Sequence, residues 1–131
     1  MAEFVLKKMA ADRNLDWEIA SAATSREEIG NDTHPGTKAK LREMSIPFTP
    51  RRARQITDED YRHYDLLIGM DRYNLINMKR FYGSDPEQKL CLLLDFSEHP
   101  RDIADPWYTG NFDATYNDVV EGCEELLNHF N

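Results

Sequence analysis

The chain has 131 residues and 15.3 kDa, with 40% hydrophobic and 31% charged residues, which suits one soluble domain around a single core. A formal net charge of −8 and a pI near 4.9 exclude a general nucleic-acid binder, because neutralising a phosphate backbone takes a basic surface. No apolar stretch approaches the roughly 18 residues of a membrane span, the start Met1-Ala2-Glu3-Phe4 lacks the long apolar run of a signal peptide, and two distant cysteines make no disulfide framework, so a reducing cytoplasm is the expected location.

Residues 2–12 are rich in Ala, Glu, Leu, Lys and Met and predict a helix with Val5, Leu6 and Met9 as its apolar stripe, stopped at Asn14. Residues 17–24, with Trp17, Ile19 and small neighbours, read as a strand. Residues 31–36 read as a loop holding Pro35, and 37–44 as a helix with Leu41 and Met44 turned inward. Residues 48–56 form an extended or loop segment carrying Arg51, Arg52 and Arg54, read as a solvated basic cluster. Thr57 caps the next helix with Asp60 three residues on. Residues 66–70 and 90–94 are short continuous apolar runs, the pattern of strands buried on both faces of a parallel sheet. Between them 71–82 is a helix with Leu75, Ile76 and Met78 inward. The clearest helix comes last, where Phe112, Tyr116, Val119, Val120, Cys123, Leu126, Leu127 and Phe130 recur at steps of three and four. Alternating helix and strand imply one α/β domain over 1–131 with a mostly parallel sheet, and such folds bind ligands beyond the carboxyl ends of the strands.

Two loops follow the apolar strands, 70–74 and 102–110. The second contains Asp105-Pro106-Trp107-Tyr108. An Asp held beside a proline and two aromatics can have its pKa raised by partial desolvation and could then protonate a leaving oxygen. The competing reading is that Asp105 starts an Asp-Pro turn, and local sequence alone favours it. Cys91 lies in an apolar run and Cys123 on an apolar helix face, so both read as core residues. The sixth residues after them are Ser97 and His129, so these residues contain no Cys-x5-Arg loop. His34, His63, His99 and His129 share no ligand spacing, and no metal or cofactor is called for.

Five blocks change the weighing. They are Ser21-Ala22-Ala23-Thr24-Ser25; Gly30-Asn31 with His34-Pro35; Ala53-Arg54-Gln55-Ile56-Thr57; Tyr64-Asp65-Leu66-Leu67-Ile68 with Met70-Asp71 and Asn74; and Asp105-Pro106-Trp107-Tyr108 with Gly110. In this order the chain resembles the low-molecular-weight protein-tyrosine phosphatase family along its whole length. The resemblance implies a three-layer α/β sandwich with a small parallel sheet (phosphotyrosine phosphatase I-like), and hydrolysis of phosphotyrosine proteins through a cysteinyl-phosphate. It implies that Asp105 is the general acid, that Trp107 and Tyr108 are the aromatic wall of the substrate pocket, and that Ser21 supports the phosphate loop. Arg51 and Glu27 depart from the family pattern, the first where a loop-supporting His is common and the second where several members carry a pocket-rim aromatic.

In that family the first strand ends in Cys-x5-Arg-Ser-Pro, and Met1 aligns just after it. The expectation is therefore a member shortened at its N-terminus, lacking the usual first strand, the nucleophile and the phosphate-binding Arg. It should be inactive as it stands and should self-associate through strands left exposed. A non-catalytic binding or regulatory remnant is the alternative from another class. An arsenate reductase ranks lower because no pair of resolving cysteines is present, and a protein-arginine phosphatase ranks lower because Tyr108 supplies a second aromatic.

Overall fold

A computed structural model of the chain describes residues 1–24, 34–49, 54–103 and 110–130. Helix α1 spans Ala2–Asp12 and buries Phe4, Val5 and Ala10. It stops where expected, with Asn14 at φ 58° and Leu15 N–H donating to Ala10 O at 2.9 Å. Helix α2 spans Pro35–Glu43. Pro35 is therefore not in a loop: it occupies the first helical turn, where its missing N–H costs nothing, and His34 caps it by accepting Gly36 N–H on Nδ1. Helix α3 spans Asp58–His63 behind a capping box, in which Thr57 and Asp60 each accept the other's backbone N–H.

Strands β1 (Leu67–Gly69) and β2 (Leu90–Leu92) pair in parallel, Leu67 opposite Leu90 and Gly69 opposite Leu92. Helix α4, Arg72–Tyr82, makes the crossover and ends at Gly83, whose φ of 74° suits glycine. The last helix, α5, spans Phe112–Phe130. Alternate residues of β1 enter different cores, as strand geometry requires. Leu66, Ile68 and Met70 pack on the larger core, built from Phe4 and Val5 of α1, Val119, Cys123 and Leu126 of α5, and Leu93 and Leu94. Leu67 enters the smaller core with Ile56 and Met78 of α4. The sheet thus lies between α1 and α5 on one face and α4 on the other, the three-layer α/β sandwich with a small parallel sheet. No described helix is long and apolar enough to cross a membrane.

Several expectations need correction. Residues 17–24 do not form a strand. The ladder there is one parallel bridge between Ala23 and Gln55, with Ala23 N–H on Arg54 O at 2.6 Å and Ile56 N–H on Ala23 O at 2.9 Å. Strand β2 stops at Leu92, because Asp95 accepts the Leu92 N–H at 2.9 Å and the chain turns into a short 3₁₀ segment, Leu93–Phe96. Met44, Ile76 and Phe130 are 39%, 46% and 52% exposed instead of inward. Met44 lies past the end of α2, Phe130 is in the last turn of α5, and Ile76 is more than half a turn around α4 from buried Met78. Arg54 is not a freely solvated cation, since it makes a two-pronged contact with Asp60 at 2.9 and 3.0 Å. Arg51 and Arg52 lie outside the described residues.

Candidate active site

The carboxyl ends of β1 and β2 converge on the turn 69–71. A Cβ added at Gly69 would stand 2.9 Å from Asn74 Cβ and 3.2 Å from Met78 Cε, so glycine lets α4 start immediately against the strand. Asp71 caps α4 by accepting Asn74 N–H at 2.9 Å, and Asn74 Oδ1 accepts Met70 N–H at 3.0 Å. These contacts lock the turn and leave the Met70 carbonyl to accept from another segment.

That carbonyl holds the approach to the Asp-Pro loop. Ile103 donates its N–H to Met70 O at 2.9 Å and buries its side chain in the larger core at 6% exposure. One residue earlier, Asp102 accepts Arg72 N–H at 3.2 Å and lies 3.5 Å from Arg72 Nε. The far end of the loop is fixed on α2 and α5. Gly110 has φ 67°, Asn111 accepts Ala114 N–H at 3.0 Å, and the Phe112 ring stacks on His34 at 5.5 Å. The Phe112 ring also lies so close to Gly36 that a Cβ there would be 2.3 Å from Cζ. Beside this root, Lys40 reaches Asp113 at 2.5 Å and Glu43 at 3.3 Å, and the Asp113 contact holds its ammonium above the usual lysine range. A recess of ≈ 440 Å³ between α2 and α5 is walled by Lys40, Asp113, Phe112 and Gly110.

Both roots of the loop are thus immobilised, the entry at the carboxyl end of β1 and the exit at the start of α2. Asp105, Trp107 and Tyr108 themselves lie outside the described residues. Ser21 is described and exposed. Its block is carried toward α4 by Ala23 on Gln55 and by Asn77 Nδ2 on Thr24 Oγ1 at 3.4 Å. Sequence reading placed Arg72 and Asp102 in the two candidate loops, but it missed their contact with each other and the Lys40–Asp113 pair, because nothing local links Arg72 or Lys40 to partners thirty or more residues away.

The two thiols are poorly suited to nucleophilic work. Burial, aided by the carboxylates of Asp95 and Asp85, pushes Cys91 up to about 11. Burial pushes Cys123, fully enclosed in α5, up to about 12. A catalytic thiol needs the reverse, a neighbouring cation or helix N-terminus that favours the thiolate.

Residues 1–131 match the family model described as low molecular weight phosphotyrosine protein phosphatase. The chain is 35% identical over 131 residues to the low molecular weight protein-tyrosine-phosphatase YfkJ of Bacillus subtilis, spanning 97% of itself and 84% of that protein. It is 34% identical to the low molecular weight protein-tyrosine-phosphatase PtpA of Staphylococcus saprophyticus, spanning 98% of itself and 82% of that protein. The crystal structure of YfkJ superposes with a TM-score of 0.90, over 98% of this chain and 83% of that one. A drosophila arginine phosphatase superposes with a TM-score of 0.89 at 26% identity, over 98% of this chain and 87% of that one.

Proposed function

The chain belongs to the low-molecular-weight protein-tyrosine-phosphatase family, and from that premise we propose that it carries the acid and substrate-wall portion of a phosphotyrosine hydrolase. In the complete reaction a thiolate attacks phosphorus and forms an S–P bond while the P–O bond to the tyrosyl oxygen breaks. Asp105 gives its proton to that leaving oxygen. As a carboxylate it then takes a proton from the water that attacks phosphorus, and the S–P bond breaks to release inorganic phosphate and the thiolate. Trp107 and Tyr108 flank the phenyl ring, and Ser21 supports the loop that wraps the phosphate.

The observation that carries this reading is the pair of fixed roots. Ile103 and Asp102 are fastened to Met70 and Arg72 at the carboxyl end of β1, where ligands of parallel α/β folds bind. Asp105 follows Ile103 by two residues in the sequence.

The 131-residue polypeptide by itself should not turn over. Its sequence contains no Cys-x5-Arg loop, and burial raises both of its thiols, which disfavours the thiolate. Without the covalent nucleophile and the Arg that stabilises the transferring phosphoryl group, an acid has nothing to assist. Purified chain should release no phosphate from a small aryl phosphate above buffer. Release abolished by Cys91→Ser would place the nucleophile in β2 and overturn the proposal. Joining the chain to a strand and Cys-x5-Arg loop taken from a relative should give turnover, with Asp105→Asn lowering kcat by ~10²–10⁴. A preference of that fusion for phosphoarginine over phosphotyrosine peptides would favour the arginine-phosphatase reading instead.

A further inference from the structure

The chain's negative charge is unevenly spread over its helices. Helix α5 carries Asp113, Asp118, Glu121, Glu124 and Glu125 and no Lys or Arg. Helix α4, on the opposite face of the sheet, carries Arg72, Lys79 and Arg80 and no carboxylate. At 100° per residue the positions 79, 72, 76, 80 and 73 fall in that order along one arc of about 120°. All five are exposed: Arg72 by 82%, Tyr73 by 76% and Ile76 by 46%, with Lys79 and Arg80 in the same class. An aromatic ring and an isoleucine therefore stand among three cations on the open side of α4. A solvated helix face needs neither of these apolar groups, and large exposed apolar side chains rimmed by charge mark contact surfaces.

We propose that this face of α4 is a docking strip for an acidic segment of a protein, with Tyr73 and Ile76 receiving an apolar side chain between the carboxylates. Charge complementarity chooses the occupant, because α5 repels such a segment while α4 attracts it. The strip is bounded at both ends. Asp102 sits against Arg72 at its start, and Asp58, Asp60 and Asp85 lie near its far end, where Tyr82 donates to Thr57 O and Lys79 faces Asp85. From Arg72 to Arg80 it is about 12 Å long at 1.5 Å per residue, which matches about four residues of extended peptide. Its first residue, Arg72, holds Asp102 at the root of the Asp-Pro loop. Given the phosphatase reading, the docked segment is then the acidic flank of a phosphotyrosine substrate.

The test uses the 131-residue chain and a fluorescent peptide of alternating Glu and Leu without phosphotyrosine, so it is independent of catalysis. Anisotropy should show binding at about 0.01 M ionic strength that disappears at about 1 M. A Gln-for-Glu peptide should not bind. Amide shifts on titration should cluster in α4. Arg72→Glu with Arg80→Glu should weaken binding at least tenfold, with the helical circular dichroism unchanged, and Glu124→Lys on α5 should leave α4 the main site. Shifts confined to other elements, equal binding by the double variant, or binding to anionic phosphatidylserine vesicles in place of the peptide would each overturn the proposal. Binding as expected, alongside an inactive Cys-x5-Arg fusion, would uphold the strip and sink the phosphatase reading.

Discussion

Gly122 lies in the middle of α5, where glycine weakens a helix, yet replacing it should make the protein less stable. An added Cβ would stand 2.5 Å from Leu93 Cγ, 3.1 Å from Cδ2 and 3.3 Å from Cδ1. All three atoms of the isobutyl head are too close, so no rotation about one bond clears them. Leu93 cannot retreat either, because it is 2% exposed and packed with Leu94, Val119 and Leu126. Two effects oppose each other. Ala in a helix interior is favoured over Gly by about 0.8–1.0 kcal/mol. Overpacking a closed core costs about 1–3 kcal/mol, and contact with a branched carbon belongs in the upper part of that range. The net loss for Gly122→Ala is therefore about 1–2 kcal/mol, which for a domain of this size lowers Tm by about 4–8 °C. Differential scanning calorimetry and urea unfolding measure it directly. Leu93→Ala removes the obstacle at its own cavity cost, so the double variant should be more stable than the sum of the two single losses by about 1–3 kcal/mol. A Gly122→Ala protein melting at or above the parent would mean that helix propensity outweighs the contact, and the steric account of the α5 interface would fail.

Asp60 caps α3 and holds Arg54 in two contacts, and the Arg54 contact keeps its carboxyl below the usual carboxylate range. A depressed folded-state pKa stabilises above the unfolded value, and that contribution is lost as pH falls through the folded one. Asp60→Asn should therefore cost about 1–2 kcal/mol in urea unfolding at neutral pH, and the gap should narrow as pH falls below the usual carboxylate range; a gap independent of pH would refute the ionic role. Separately, Leu67 donates to Lys89 O, so by alternation Ile68 turns its N–H and C=O to the other edge of β1, where no strand pairs among the described residues. We propose that copies of the 131-residue chain pair through this apolar edge. Sedimentation velocity should show dimers or larger species at micromolar concentration, and a monodisperse monomer with cooperative unfolding would refute it.

What was legible in the sequence was what local chemistry decides. The three-and-four spacing from Phe112 to Phe130 located α5, Thr57 with Asp60 located the start of α3, and the apolar runs around Leu67 and Leu90 located the two strands. Residues 17–24 have the composition of a strand, but a strand exists only through its neighbours, and one bridge at Ala23 is all the ladder that forms. The end of β2 was hidden for a different reason. It is set by one side chain, Asp95, which takes the Leu92 N–H, and no hydrophobic pattern reports that choice.

The site divides in the same way. The Asp-Pro-aromatic block can be read as a word because its residues are adjacent. Its tethers cannot, because Arg72 meets Asp102 across thirty residues of sequence and His34 meets Phe112 across more than seventy. Net charge behaves like the tethers. A value of −8 argues against an anionic partner when taken as one number. The fold sets five carboxylates of α5 on one face of the sheet and three cations of α4 on the other, so an acidic segment approaching α4 meets the field of cations that the net charge conceals. At physiological salt that field reaches only about 8 Å, which makes the face, and not the whole molecule, the unit that selects a partner.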